Sequence, residues 1–175
     1  RLLAALLLGA CSLLNAAPSF SPPVSYEDAD RRAGELLAKM TRSEKLQLVS
    51  GYNSFYVRGF PRLGIPDLYM SDATQGVNIR RNLSDQLEKS TAMPSPLALT
   101  ATWNPGLASR YARSVGEECR AGGIAFLLGP GVNIYRHSQN GRNFEYFGED
   151  PFLASRMVER YIQAVLETGT IPTLK

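Results

Sequence analysis

Alternation of short apolar runs with clearly bounded helices is the feature that most constrains the fold of this chain. Two helices are each predicted by an N-cap residue, a proline in the first turn and a closing glycine: Asn104, Pro105 and Gly122, then Asp150, Pro151 and Gly169. Apolar runs typical of buried strands lie at residues 67–71, 96–101, 124–131 and 171–175. Strands and helices in this order predict an α/β protein with a parallel sheet.

Two further helices are predicted ahead of this alternating part. Residues 28–39 and 42–49 carry apolar side chains at helical spacing. Thr41 and Glu44 have the spacing of a capping box, in which each side chain bonds the backbone N–H of the other residue. We therefore expect the second helix to begin directly after Thr41.

Composition indicates a globular protein and argues against nucleic acid as a partner. A hydrophobic content of 44% in 175 residues suffices for one domain with a sizeable core. Nineteen basic and sixteen acidic residues leave a net charge of +3, and the two signs are interspersed along the helical stretches. Because the basic residues form no separate stripe, a nucleic-acid-binding surface is not expected.

Residues 1–23 have the layout of a secretory signal followed by a tether. A cationic start, a short apolar run and small residues appear in "RLLAALLLGACSLLNAAPSFSPP". Leu8-Gly9-Ala10-Cys11 resembles a bacterial lipoprotein box, which predicts lipidation of Cys11 and export to the periplasm or cell surface with a lipid anchor in the membrane. Simple signal cleavage near residues 15–17 is the alternative. Residues 24–175 are then expected to be the folded part of the chain.

Polar side chains follow three of the predicted strands. Asp72, the loop 136–145 and Lys175 each come after an apolar run. The carboxyl ends of parallel strands meet on one face, which is the catalytic face of a parallel barrel. Carboxylates accept two hydrogen bonds at once, and arginine and lysine donate several, a mixture that suits the vicinal hydroxyls of a sugar. The sequence therefore favours a carbohydrate site at this face.

Three stretches together resemble glycoside hydrolase family 3. They are "GIPDLYMSDATQGV", "GPGVNIYRHSQNGRNFEYFGEDPFLASRM" and the terminal "TLK", and the similarity runs from about residue 30 onward. The resemblance implies the N-terminal part of a (β/α)8 TIM-like barrel. It also implies a retaining, exo-acting β-glucosidase that hydrolyses O-glycosyl bonds and releases terminal β-D-glucose in carbohydrate catabolism. The expected substrates are β-linked oligosaccharides or aryl glucosides, and no cofactor or metal ion is expected.

Residue roles follow from the same resemblance. Asp72 resembles the carboxylate that grips hydroxyls of the terminal sugar, Arg142 the arginine that binds the same ring, and Lys175 the lysine of the family's Lys-His pair. Many relatives carry Arg or His six residues after this Asp, where this chain has Asn78, so Asn78 and Arg80 are further candidates for sugar binding. The remaining candidates, expected to orient these neighbours, are Arg136 and Glu145.

A retaining glycosidase also needs a nucleophile and an acid/base, two carboxyl groups about 5 Å apart. The resemblance implies that both lie outside these 175 residues, so no catalytic residue is expected here and the chain is expected to be inactive alone. Removing the leader leaves roughly 150 residues, compared with about 250 for a whole barrel. We therefore expect a barrel domain that is truncated at its C-terminal side.

Other functions remain open from the sequence. Members of the same family include β-xylosidases and β-N-acetylglucosaminidases. A protein of a different class, a non-catalytic sugar-binding surface lipoprotein, would keep the pocket without the chemistry. Within the family, the aromatic-rich "GRNFEYFGEDP" favours the β-glucosidase group.

Overall fold

The structure, a computed structural model, describes residues 24–78 and 88–175. Its contacts divide the chain into two compact units, one ending at Glu35 and one running from Leu36 to Lys175. The predicted leader, including Cys11, and the candidate Arg80 lie outside the described residues. No helix among the described residues has the length and apolar character that crossing a membrane requires.

Both predicted N-terminal helices are present. Helix α1 spans Tyr26–Lys39 and helix α2 spans Arg42–Val49. The capping box is confirmed, because the Thr41 N–H donates to Glu44 Oε2 over 2.8 Å and the Glu44 N–H donates to Thr41 Oγ1 over 3.2 Å. Arg62 also donates to Glu44 and lowers the pKa of that carboxyl to about 2. Glu44 thus links the start of α2 to the Pro61–Leu63 turn.

A four-stranded sheet carries the second unit, in the order β1-β2-β3-β4. The strands are β1 Tyr56–Val57, β2 Leu68–Ser71, β3 Ile124–Leu127 and β4 Ile171–Pro172. β1 runs antiparallel to β2, whereas β2, β3 and β4 are mutually parallel, with Ser71 opposite Leu127 and Leu127 opposite Pro172. The parallel order of the strands predicted at residues 67–71, 124–131 and 171–175 is confirmed, but two of them are shorter than predicted, since β3 ends at Leu127 and β4 at Pro172. The short β1 was not predicted.

The predicted strand at 96–101 is wrong, because these residues form helix α3, Pro96–Thr100. Ser95 caps this helix by accepting a hydrogen bond from the Ala98 N–H over 3.2 Å, and Thr100 Oγ1 donates to the Pro96 carbonyl over 2.8 Å. A short apolar run does not by itself distinguish a buried strand from a buried helix. The serine cap and the following proline are the signals that decide it.

Helices α4, Pro105–Ala121, and α5, Pro151–Glu167, begin and end where the sequence predicts. Asn104 Oδ1 accepts from the Leu107 N–H, and Asp150 Oδ1 accepts from the Phe152 N–H. Apolar faces of both helices pack on the sheet and on each other, and the core residues least exposed to solvent include Val115, Leu127, Phe147, Met157 and Val165. This packing fixes the strands whose carboxyl ends carry the polar residues.

Candidate functional site

The carboxyl ends of the parallel strands bring distant parts of the sequence together. Asp72 follows β2 directly, the loop 128–148 follows β3, and Lys175 lies three residues beyond β4. The main chain of Lys175 is joined to the loop after β3 by two hydrogen bonds, one from its N–H to the Pro130 carbonyl over 3.1 Å and one from the Val132 N–H over 2.8 Å. Sheet register therefore places Lys175 beside the residues that follow β2 and β3.

Four charged side chains meet at this point. Lys175 Nζ lies 3.2 Å from Glu145 Oε2 and 3.7 Å from Asp72 Oδ1, and Arg142 Nε forms an ion pair with Glu145 Oε1. Glu145 is the most enclosed member, with 5% of its side chain exposed, compared with 30% for Lys175, 40% for Asp72 and 61% for Arg142. The site therefore contains two cations, Arg142 and Lys175, and two anions, Asp72 and Glu145. The buried carboxylate of Glu145 contacts both cations.

The environment of Glu145 decides its protonation state. Burial alone raises the pKa of this carboxyl, but hydrogen bonds from Arg142 and Lys175 outweigh burial and lower the pKa below its ordinary value. The same contact with Glu145 raises the pKa of Arg142. Because Glu145 stays ionised near neutral pH, it is not suited to donate a proton, and its geometry fits the predicted role of orienting Arg142 and Lys175.

One side of the site is the turn of residues 72–78, called here the turn wall. It is held from behind by residues 88–94, the backing segment: the Met93 N–H donates to the Gln75 carbonyl over 2.9 Å, and Ser90 Oγ donates to the Val77 carbonyl over 2.7 Å. The Tyr111 hydroxyl of α4 donates to the Thr74 carbonyl over 2.9 Å. The turn wall is thus anchored to parts of the chain far away in sequence.

Gly76 is required where the backing segment meets the turn wall. Its φ is +105°, and a Cβ atom at this position would lie 2.0 Å from the Thr91 carbonyl oxygen. Thr91 is in turn fixed by Glu118 of α4, whose two carboxylate oxygens each lie 3.1 Å from the Thr91 N–H. Helix α4 therefore sets the position of the turn wall through Thr91.

The opposite side is the loop of residues 136–146, called here the loop wall, and its bonds are mostly local. Asn143 Nδ2 donates to the carbonyls of His137 and Ser138, and Asn140 Nδ2 donates to Asn143 Oδ1 over 3.1 Å. The Tyr135 hydroxyl donates to the Asn143 carbonyl. Asn143 is thus the centre of a hydrogen-bond network that folds the loop on itself.

Between the two walls lies a pocket of about 390 Å³, a volume in the range of small-molecule sites. Its lining residues, taken from both walls and the segment after β4, are Asp72, Thr74, Gln75, Gly76, Asn78, Arg142, Phe144, Glu145 and Lys175. Sequence reasoning missed Thr74, Gln75 and Gly76, which sit in the "SDATQG" turn beside Asp72. Their adjacency to Asp72 was the one available signal.

Most predicted site residues share this pocket. Asp72, Asn78, Arg142, Glu145 and Lys175 all line it. Arg136, in contrast, is exposed and does not line the pocket, so the orienting role expected of it has no contact in the structure to support it and stays a prediction.

The aromatic residues of the loop divide into two groups. Phe144 borders the pocket with 54% of its surface exposed, whereas Tyr146 and Phe147 are buried beneath the loop. The ring of Phe147 packs edge-on against Tyr161 of α5, with 6.1 Å between centroids. The buried rings thus fasten the loop wall to the core and leave Phe144 at the opening.

A second pocket of about 380 Å³ lies between α3 and α4, and its lining is largely apolar, with Met93, Leu99, Leu107 and Tyr111 among the residues. It contains no carboxylate, whereas the first pocket combines carboxylates, cations and amides. Within residues 24–78 and 88–175, no group of His, Cys, Asp and Glu side chains is arranged to hold a metal ion. The first pocket, lined by Asp72, Arg142, Glu145 and Lys175, is therefore the candidate site for a polar ligand.

The pocket is equipped for binding a polyhydroxylated ligand. Ionised carboxylates accept hydrogen bonds from hydroxyl groups, and the Arg142 and Lys175 cations donate to hydroxyl oxygens. A pocket at the carboxyl ends of parallel strands in an α/β fold is the arrangement of parallel-barrel domains, whose sites lie at this face.

Within that class, the chain belongs to glycoside hydrolase family 3. Residues 29–175 match the model of the glycosyl hydrolase family 3 N terminal domain. A β-glucosidase of Bacteroides ovatus, BoGH3A, is 44% identical over 162 residues, which are 87% of this chain and 22% of that protein. Thermostable β-glucosidase B of Acetivibrio thermocellus is 36% identical over 146 residues, 81% of this chain and 19% of that protein.

Solved structures agree with the family. β-Glucosidase 3B of Thermotoga neapolitana in complex with glucose has a TM-score of 0.75 at 31% identity, over 82% of this chain and 22% of its own. DesR, a β-glucosidase from Streptomyces venezuelae in complex with D-glucose, has a TM-score of 0.73 at 35% identity, over 82% and 18%. The predicted (β/α)8-barrel type of fold is confirmed, and the chain spans about a fifth of the length of these relatives.

Proposed function

We propose that this chain forms the terminal-sugar subsite of a retaining, exo-acting β-glucosidase that hydrolyses β-linked oligosaccharides or aryl glucosides. The observation that carries the proposal is the convergence of Asp72, Arg142, Glu145 and Lys175, from three places in the sequence, around one pocket. The relatives named above as β-glucosidases, two of them in complexes with glucose, support this assignment.

In this proposal the residues bind and orient the sugar. Asp72 accepts hydrogen bonds from two neighbouring hydroxyl groups, and Lys175 and Arg142 donate to hydroxyl oxygens. Glu145 holds both cations in place from the closed end of the pocket. Interactions of this kind accelerate hydrolysis when they tighten as the sugar ring distorts toward the oxocarbenium-like transition state.

A related glycosidase defines the main alternative. An exo-α-(1→6)-L-arabinopyranosidase of Bifidobacterium longum is 33% identical over 144 residues, 78% of this chain and 19% of that protein. The same framework thus accompanies a different terminal sugar in that relative. A panel of aryl β-glucoside, β-xyloside, β-N-acetylglucosaminide and α-L-arabinopyranoside substrates separates these specificities, and the proposal expects the highest kcat/KM for the β-glucoside.

The proposal is tested by Asp72→Ala in the product of the open reading frame that contains this chain. Loss of two hydrogen bonds that strengthen in the transition state costs about 3 kcal/mol, so kcat/KM for the aryl β-glucoside is expected to fall about a hundredfold. Circular dichroism and the melting temperature should remain those of the parent.

Glu149→Ala is the matched control, because Glu149 is an exposed carboxylate outside the pocket. If kcat/KM of Asp72→Ala stays within threefold of the parent, Asp72 does not bind the substrate and only forms part of the turn. A parent protein that binds glucose but cleaves no substrate of the panel would instead favour a non-catalytic sugar-binding protein.

We further propose that the protein is exported and anchored to a bacterial membrane through a lipid on Cys11. The apolar run ending in Leu8-Gly9-Ala10-Cys11 supports this, as does the small-residue and proline-containing stretch that follows it. Radiolabelled fatty acid incorporated in a bacterial host should appear in the parent and be absent from Cys11→Ser. Equal labelling of the parent and Cys11→Ser would contradict the proposed lipid anchor.

A further inference from the structure

The pocket between α3 and α4, called here the α3–α4 pocket, has no part in the proposed function. Its volume of about 380 Å³ lies in the range of small-molecule sites. Most of its lining consists of hydrophobic residues: Met93, Pro94, Ala98, Leu99 and Leu107. Because such a lining gains free energy only by covering apolar surface, the pocket favours a ligand with an apolar body.

The polar residues of the lining narrow the choice of ligand. The hydroxyl groups of Thr102, Tyr111 and Ser114 each donate to a main-chain carbonyl, over 2.6, 2.8 and 3.2 Å respectively. Among the described lining residues Arg110 alone is charged, and its guanidinium has no hydrogen bond or ion pair with any residue in 24–78 or 88–175. Arg110 is therefore the lining side chain whose donors remain for a ligand, and a guanidinium favours an anionic partner.

The α3–α4 pocket shares structural elements with the turn wall of the first pocket. Met93 and Pro94 belong to the backing segment and line the α3–α4 pocket, while the Met93 N–H donates to the Gln75 carbonyl over 2.9 Å. Tyr111 also lines the α3–α4 pocket, and its hydroxyl joins the Thr74 carbonyl to the Pro94 carbonyl. Since Thr74 and Gln75 line the first pocket, one set of bonds connects the two pockets.

We propose that the α3–α4 pocket binds a small amphiphilic carboxylate, and that its occupancy tightens sugar binding in the first pocket. The aryl or alkyl body of the ligand packs among the hydrophobic residues, and its carboxylate pairs with Arg110.

The direction of the coupling follows from the shared bonds. A ligand packed against Met93 and Tyr111 favours the arrangement in which both bond the turn wall, and in that arrangement the first pocket is formed. Coupling between two sites is reciprocal, so the sugar should strengthen binding of the carboxylate by the same factor. The carboxylate site stands apart from the proposed function, whereas its effect on sugar binding rests on that function.

Binding is tested with 4-phenylbutanoate and, as its uncharged counterpart, 4-phenylbutan-1-ol. Dissociation constants are measured at pH 7 by ligand-observed NMR with the product of the open reading frame that contains this chain. The parent should bind the carboxylate about fivefold more tightly than the alcohol. Arg110→Gln should weaken the carboxylate about fivefold, leave the alcohol within twofold, and leave glucose affinity without the carboxylate within twofold.

Arg113→Gln is the matched control. Arg113 lies three residues further along α4, pairs with Glu167 of α5 and does not line the pocket, so both compounds should bind within twofold of the parent. Ala98→Phe tests the location, because a ring at this lining position should exclude the carboxylate and the alcohol alike.

Coupling is tested by measuring glucose binding with and without saturating 4-phenylbutanoate. The dissociation constant for glucose should fall about threefold when the carboxylate is bound, and hydrogen exchange of residues 72–78 should slow. Tyr111→Phe keeps the ring in the lining and removes the hydroxyl that bonds the Thr74 carbonyl. The carboxylate should still bind to this variant, and the coupling factor should fall toward one.

Each contrary result has its own meaning. A parent that does not bind the carboxylate would overturn the site and indicate that another part of the protein covers the pocket. Equal binding by the parent and Arg110→Gln would overturn it as well. Apparent glucose affinity that keeps falling as the carboxylate is added would mean competition at Arg142 and Lys175 in the first pocket, which also removes the site.

Two further results separate the site from the proposed function. Glucose affinity that does not change with the carboxylate bound would remove the coupling. A parent that binds the carboxylate through Arg110 but binds no glucose would contradict the proposed function and leave the α3–α4 site standing.

Discussion

The turn wall and the loop wall enclose one pocket, yet they are held in place by contacts of different range. Residues 72–78 depend on the backing segment and on α4, with Met93 lying 18 positions from its partner Gln75 and Tyr111 lying 37 positions from its partner Thr74. Residues 136–146 depend mostly on one another, through Asn143 and the Arg142–Glu145 pair.

The difference indicates how each wall responds to change. A wall fixed by distant parts of the chain is displaced when any of those parts moves, so residues outside the pocket control its shape. A wall fixed by local bonds responds mainly to changes in its own residues. The following predictions test that distinction in the product of the open reading frame that contains this chain.

The largest effect is expected from Gly76→Ala in the turn wall. The added Cβ would lie 2.0 Å from the Thr91 carbonyl oxygen at a φ of +105°, so the native turn should be destabilised by about 3 kcal/mol. Glucose binding then requires a conformation populated about a hundredfold less, and the dissociation constant should rise accordingly. Calorimetry with glucose measures this, and hydrogen exchange of residues 72–78 reports the opening.

Gly141→Ala provides the comparison in the loop wall. A Cβ at Gly141 meets no atom within 4 Å, and its φ lies outside the left-handed region. Glucose affinity should therefore stay within twofold of the parent. Equal effects of the two substitutions would contradict the proposed difference between the walls.

A smaller effect is expected from Glu145→Gln in the loop wall. The substitution keeps the shape of the side chain but removes the charge that holds Arg142 and Lys175, and glucose binding should weaken about tenfold at pH 7. The thermal stability of the protein should also decrease at this pH.

The effect of Glu145→Gln on stability should depend on pH in one direction. The folded pKa of Glu145 lies below its ordinary value of about 4.3, so the carboxylate contributes stability above that value and loses it as the pH falls through the folded pKa. The melting temperatures of parent and variant should differ at pH 6 and converge in acid. A difference that persists or grows in acid would show that the charge of Glu145 is not what stabilises the loop wall.

The smallest effect is expected from Glu118→Ala, which acts on the turn wall from outside the pocket. Loss of the bonds to Thr91 frees the backing segment, and the dissociation constant for glucose should rise about threefold. Glu117→Ala is the control, because Glu117 is an exposed neighbour on the same helix and does not touch Thr91. If both variants bind glucose like the parent, α4 does not position the turn wall.

The two walls also differ in how much of each can be predicted from the sequence. Arg142, Glu145 and their loop were predicted as a unit because their contacts are three residues apart and the residue types stand together in "GRNFEYFGEDP". Thr74, Gln75 and the backing segment were missed, because nothing in the adjacent sequence indicates that Tyr111 bonds Thr74, that Met93 bonds Gln75 or that Glu118 bonds Thr91. The strand predicted at 96–101 failed for a related reason: a short apolar run is buried in either conformation.

The sequence by itself determined the local structure. N-caps, prolines and glycines placed α2, α4 and α5, and apolar runs placed the parallel strands, because these signals act over a few residues of backbone. Order along the chain then implied that Asp72, the loop after β3 and Lys175 share one face. Tertiary structure alone decided that Glu145 lies between Arg142 and Lys175, that Phe144 remains exposed at the opening, and that α4 supports the turn wall. Ion-pair distances and burial depend on how helices and strands pack in three dimensions, and that packing joins residues whose separation in sequence carries no local signal.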